Sequence, residues 1–243
     1  MVKECERVQT SWFRARAEAL GGEAWDDGAL TWTDGPDGLN LMFPGELDTS
    51  AVRRGVQEAL ARGRPLVGAW LSTGVDPSAL RECGFDRGWP IRWMAASLAA
   101  VAADEGDVDD RIELQTDTLD YDGEYADYRD QLALARREPQ VAWYAAAYAR
   151  PASSDRPRRF AGRAWSFYDG GPNGVAGVFD MEVWPRFRRR GLGTGLLRTV
   201  CSAARRAGAA QAVLNATDEG RLLYGTCGFT PIGEGITWWL HLR

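Results

Sequence analysis

The stretch from Asp180 to Leu197, DMEVWPRFRRRGLGTGLL, gathers residue types suited to holding an anion. It reads as a strand, a turn marked by Pro185, a glycine-rich loop and the start of a helix. Gly191 and Gly193 let a ligand approach the main chain closely. The N–H groups in the first turn of a helix have no internal partners, and they sit at the positive end of the helix dipole. Arg188, Arg189 and Arg190 surround that end with side-chain charge, so the arrangement suits a pyrophosphate. Asp180 and Glu182 alternate with Met181 and Val183 and are expected on the opposite face of the strand.

Other chemistries fit poorly. A dinucleotide loop needs GxGxxG, but GLGTGL places Leu196 at the sixth position, and no GKS or GKT of a nucleotide P-loop follows. The single histidine, His241, lies near the C-terminus and reads as a strand residue at an edge, so triads that depend on an imidazole are not expected. Cys5, Cys83, Cys201 and Cys227 show no CxxC spacing and are expected reduced, with no metal site. Acid–base work therefore falls to Tyr, Asp, Glu or a substrate amine.

The same residues resemble the GNAT acetyltransferase family, whose coenzyme-A loop reads Arg/Gln-x-x-Gly-x-Gly/Ala after a strand ending in hydrophobic-x-Pro. Arg188, Gly191 and Gly193 fit the loop, and Val183-Trp184-Pro185 precedes it. A second family feature, an aliphatic residue and a tyrosine shortly before Gly-Phe, fits Leu223-Tyr224 and Gly228-Phe229. The resemblance implies a mixed, mostly antiparallel α/β sheet flanked by helices and an acetyl-CoA co-substrate. It implies that the backbone of Met181 and Val183 holds the pantetheine arm, and that amides from Arg189 through Gly191, Leu192 and Gly193 to Thr194 hold the pyrophosphate. Tyr224 would protonate the leaving thiolate. Glu182 and Asp180 are the carboxylates available as a base for the amine. Where many members have Asn seven residues before the tyrosine, this chain has Thr217, whose hydroxyl supplies only part of an amide's hydrogen bonding.

These groups need strands and helices to hold them. Apolar residues at Leu192, Leu196, Leu197, Val200, Cys201 and Ala204 recur at helical spacing, with Gly208 as the stop. QAVLNA is expected as a strand, DEGRLLYGTC as a helix and ITWWLHL as a terminal strand. Upstream, RIELQT, RFAGRAWSFYD and GVAGVFDMEVW read as strands, residues 124–137 as a helical region and residues 149–159 as an exposed loop. In the first half, residues 54–63 read as a helix, LVGAWL as a buried strand and WPIRWMAASLAAV as strand-like at first. The run DPSALRECGF from Asp76 echoes DEGRLLYGTCGF from Asp218, with Leu80 where the second copy has Tyr224. The echo predicts two GNAT-like halves: a degenerate one over 1–103 without a counterpart of RRRGLG, and a catalytic one over 110–243, joined by the acidic linker ADEGDVDD.

The 243 residues carry a net charge of -5, which disfavours nonspecific nucleic-acid binding. No apolar run is long enough to cross a bilayer and the N-terminus does not read as a signal peptide, so a cytoplasmic protein without membrane association is expected. From Asp104 to Asp130 there are twelve carboxylates against two arginines, interleaved with Tyr121, Tyr125 and Tyr128. In this fold that region builds the acceptor cleft, and it would suit a cationic small-molecule amine. A polyamine, an aminoglycoside-like compound, an amino acid or a protein N-terminus all remain open as acceptors, as does a monomeric or homodimeric state. The alternative from another class is a non-catalytic acyl-CoA-binding sensor or scaffold.

Overall fold

The computed structural model describes residues 1–35, 38–102, 109–116, 132–149 and 159–242. The chain divides into two compact units, Met1–Trp93 with Ile232–Arg243, and Met94–Pro231.

The first unit begins with helix α1 (Val2–Ala19), followed by strands β1 (Glu23–Asp27), β2 (Leu30–Gly35) and β3 (Gly38–Met42). Helix α2 (Thr49–Ala61), strand β4 (Leu66–Ser72), helix α3 (Ser78–Glu82) and strand β5 (Asp86–Ser97) follow. Strand β3 runs parallel to β4. Trp32, Leu39, Leu41, Val52, Leu71, Leu80, Phe85 and Trp238 make its core. Trp238 lies on β11 (Thr230–His241), which pairs antiparallel with β4, His241 opposite Leu66. The division therefore differs from the expected 103/110 boundary. The C-terminal strand joins the first unit because β4 satisfies its backbone and Trp238 fills that unit's core. His241 ends this strand, and β11 lies between β4 and β5 rather than at a sheet edge.

The second unit starts with the short helix α4 (Leu98–Val101) and strand β6 (Ile112–Gln115). Strands β7 (Ala142–Ala149), β8 (Arg159–Phe167) and β9 (Val175–Val183) follow. After a single 3-10 turn at Pro185–Phe187 come helix α5 (Leu192–Arg206), strand β10 (Gln211–Asn215) and helix α6 (Asp218–Thr226). The strand order is β10-β9-β8-β7-β6; β10 is parallel to β9 and the other pairs are antiparallel. The apolar stripe read from the sequence, Leu192, Leu196, Leu197, Val200, Cys201 and Ala204, is the face that α5 buries. Burying each of the larger aliphatic side chains contributes roughly 1.5–3 kcal/mol, which pins the helix and hence its N-terminus. A chain reversal at Gly208 (φ 104°) follows it.

The expected helix over 124–137 and the linker and loop segments fall mostly outside the described residues. Of that helix, the described part is a 3-10 turn at Leu134–Arg136. Of the acidic stretch, residues 109–116 are described, while Tyr121, Tyr125 and Tyr128 lie outside the described residues.

The sequence echo has a structural counterpart. At the end of α3 the amides of Cys83 and Phe85 donate to the Leu80 carbonyl; at the end of α6 those of Cys227 and Phe229 donate to the Tyr224 carbonyl. Gly84 (φ 86°) and Gly228 (φ 89°) make the left-handed turn in each.

Candidate active site

Strand β9 is accompanied by β10 only from Val175 to Val178, the last pair being Leu214 with Val178. Beyond it, β9 stays on β8, with Glu182 opposite Arg163 and Val183 opposite Gly162, and the Trp184 amide donates to Ala161. β10 meanwhile turns away through Thr217 into α6. From Phe179 onward no strand among the described residues pairs with the outer edge of β9, and that edge opens on a cavity of about 940 Å³. Met181, Glu182 and Val183 form one wall, Arg188, Arg189, Gly191, Leu192, Gly193 and Thr194 the second, and Thr217 to Gly220 with Leu222, Leu223 and Tyr224 the third.

The strand bends where it leaves β10. Trp165 pairs with Phe179 and Arg163 with Glu182, so Asp180 and Met181 together face Ala164 in a bulge, and Asp180 takes a left-handed φ of 45°. Exposure still alternates as the sequence predicts, with Asp180 and Glu182 exposed and Met181 and Val183 half-buried against the core. Glu182 lines the cavity beside Met181 and Val183, whereas Asp180 is exposed and does not. Gly162 makes the bend possible. A Cβ there would stand 2.5 Å from the Glu182 carbonyl oxygen and 3.1 Å from the Val183 Cα.

The loop before α5 carries two left-handed residues, Arg189 (φ 62°) and Gly191 (φ 82°), and Gly191 occupies the N-cap position without any side-chain cap. The first-turn amides are thus left for a ligand, in the manner of an anion-binding nest. Leu192 contributes only its amide, since its side chain is buried. Gly193 gives room to its neighbours, as a Cβ there would lie 2.9 Å from Leu223 Cδ2 and 3.6 Å from Met181 Cε.

The three consecutive arginines divide. Arg189 is exposed and lines the cavity. Arg188 also lines it but is engaged, its Nε donating to the Val183 carbonyl at 3.0 Å and its Nη1 to Glu219 at 3.2 Å. The Val183 oxygen keeps a second lone pair for an incoming amide. Arg190 does not line the cavity, contrary to expectation, because its guanidinium stands over the Phe187 ring at 5.8 Å and reaches the Arg186 carbonyl at 3.4 Å.

Thr217 serves as the N-cap of α6, accepting from the Gly220 amide at 3.1 Å and leaving its own proton to donate into the cavity. Tyr224 is 8% exposed, contacts Phe229 with ring centroids 6.0 Å apart, and forms part of the core as well as the cavity wall. Burial pushes its phenol up to about 12, with smaller contributions from Cys201 and Cys227. It therefore stays protonated through neutral and mildly alkaline pH. Burial also raises the Cys201 thiol. Among the described residues no group of three or more His, Cys, Asp or Glu side chains is placed to hold a metal, and no helix is long and apolar enough to cross a membrane.

The corresponding helix start in the first unit is already occupied by a side-chain cap. The N-terminus of α2 is capped by the Asp48 carboxylate, which accepts from Ala51 at 2.9 Å and would repel a phosphate.

Comparison with known proteins places the second unit in a family. The sequence profile of the Acetyltransferase (GNAT) family matches residues 108–229, and the chain belongs to that family. Its fold is similar to a GCN5-related N-acetyltransferase from Kribbella flavida (TM-score 0.59, 16% identity, 95% of this chain and 94% of that one). It is equally similar to one from Sphaerobacter thermophilus (TM-score 0.58, 16% identity, 97% and 92%). A tandem GNAT protein from the clavulanic acid biosynthesis pathway also aligns (TM-score 0.51, 17% identity, 87% and 78%). No curated relative matches the sequence.

The sequence reading missed Phe187, Asp218, Glu219, Gly220 and Leu222 in the cavity wall. Leu222 lies on a helix of which only Tyr224 is buried, and the 77% exposure of a leucine beside the apolar Leu223 has no sequence signature.

Proposed function

We propose that the chain is an acyl-CoA-dependent N-acyltransferase that moves acetyl from acetyl-CoA to a primary amine of a small-molecule acceptor, by direct attack in a ternary complex. The observation that carries this reading is the free edge of β9 opening onto the uncapped N-terminus of α5, with Tyr224 on the facing wall. The main chain of Met181 and Val183 would receive the pantetheine amides as an added strand does, and the amides from Arg189 to Thr194 the diphosphate. Arg188, Arg189 and Thr217 add polar contacts, and Arg190 takes part through its backbone. The neutral amine nitrogen attacks the thioester carbonyl carbon, whose oxygen takes up the charge near the β9 amides; the C–S bond breaks, and the sulfur takes the Tyr224 proton. Glu182, exposed at the rim of the cavity, would accept the amine's proton. The first unit, 1–93 with the last strand, is proposed as a degenerate GNAT half without its own acyl-CoA site, and the protein as cytoplasmic.

Thiol release from acetyl-CoA across a panel of polyamines, aminoglycosides, amino acids and peptide N-termini tests the reading. Release with one class supports it. Tight acetyl-CoA binding without release to any class would favour a sensor or scaffold instead.

A further inference from the structure

We infer that Arg111 is a positioning residue for the diphosphate loop, which deepens the proposed function and rests on it. Arg111 stands just before β6, 79 residues from Arg190, yet its Nη1 donates to the Arg190 carbonyl at 3.0 Å. The guanidinium is itself fixed, because Asp109 accepts from Nε at 2.8 Å and from Nη2 at 2.6 Å, and Asp109 also accepts from the Arg111 amide at 3.0 Å. The backbone is anchored from the other side by Tyr148, whose amide donates to the Arg111 carbonyl at 2.8 Å.

A trans peptide is planar, with its C=O and N–H pointing in opposite directions. Gripping the Arg190 carbonyl therefore turns the Gly191 N–H away from Arg111. Gly191 lines the cavity and Arg111 does not, so the amide is turned toward the side where a diphosphate would lie. The helix start is seated on the same support. A Cβ on Gly195 would lie 2.4 Å from Ile112 Cδ1 and 3.2 Å from Asp109 Oδ2, and one on Gly191 3.6 Å from Arg111 Nη2. Paired with Asp109, Arg111 contributes little net charge; its effect is orientation.

The test is calorimetric titration of coenzyme A into the full chain and its Arg111→Met, Arg111→Lys and Asp109→Asn variants at two salt concentrations, with a thermal melt of each. Arg111→Met is expected to weaken binding about tenfold, and the charge-balanced double variant Arg111→Met with Asp109→Asn to keep the salt dependence of the parent, since the pair presents no net charge to the phosphates. Arg111→Lys, which can still donate to the Arg190 carbonyl, should recover part of the affinity. Combining Arg111→Met with Asp109→Asn should cost no more than the first change alone, because the two act as one unit. A parent that binds and a folded Arg111→Met variant that binds equally well would overturn the inference alone. A steeper loss at low salt in the charge-balanced double variant would recast Arg111 as a direct phosphate ligand and overturn it too. A parent that ignores coenzyme A would overturn the proposed function, and this inference with it.

Discussion

Replacing Tyr224 with Phe removes one oxygen from a side chain that is 8% exposed and leaves the ring to pack on Phe229 as before. The fold should survive, with the melting temperature shifted by no more than a few degrees. The catalytic loss follows from the two acids involved. In water a phenol (about 10) is roughly 1.5 units weaker an acid than an alkyl thiol (about 8.5), so proton transfer to the thiolate is uphill by about 2 kcal/mol. Burial that pushes Tyr224 up to about 12 also raises a thiol in the same cavity, so the transfer remains uphill. A donor working against such a gap belongs at the low end of acid catalysis, and its removal should cost about 10²-fold in kcat with the KM for acetyl-CoA nearly unchanged. The pH profile gives an independent reading. Activity requires the protonated phenol, and a raised pKa keeps it protonated. The rate of the parent should therefore climb as the acceptor amine loses its proton and show no falling limb below about pH 11. Initial rates of thiol release between pH 7 and 10.5 measure both. A folded Tyr224→Phe variant with unchanged kcat would remove the acid from this position, and a rate that fell near pH 10 would show the phenol to be at its ordinary value.

Two further substitutions probe the binding walls. Gly191→Asn and Gly191→Asp both tolerate the left-handed φ of 82° at that position, so their comparison isolates charge. The Asp variant is expected to bind coenzyme A at least about tenfold more weakly than the Asn variant at low salt, the difference shrinking at high salt; equal affinities would place the phosphates elsewhere. Gly162→Ala puts a Cβ 2.5 Å from the Glu182 carbonyl oxygen. Because the obstructing atoms are backbone, it should destabilise the protein by about 1–3 kcal/mol and weaken acetyl-CoA binding as well, measured by denaturant titration and calorimetry. Normal affinity would mean that the β9 bend is immaterial.

Much of this site was legible in the sequence because it is local. The order strand, turn, glycine loop, helix occupies one continuous run, and the stripe from Leu192 to Ala204 fixes which face of α5 is buried, and hence where its first turn points. Tyr224 was readable for the same reason, five residues before Phe229 on a short helix. What escaped depends on partners distant in the chain. Nothing near Arg111 announces that its guanidinium will meet Arg190, and nothing in ITWWLHL says that the strand will leave its own half to pair with β4. The bulge at Asp180 escaped for another reason. A register shift needs only one residue at positive φ, and Asp180, though of a type enriched in that conformation, sits within an otherwise regular strand pattern. Arg190 looked equivalent to Arg188 and Arg189 until Phe187 offered its ring.

The central claim is that one strand edge and one helix start, both in the second unit, hold one acyl-CoA. Calorimetric titration of acetyl-CoA into the full chain tests it most directly. One molecule should bind per chain, and Gly191→Asp should weaken that single event. No binding, or two equivalent sites per chain despite the Asp48 cap of the first unit, would contradict it.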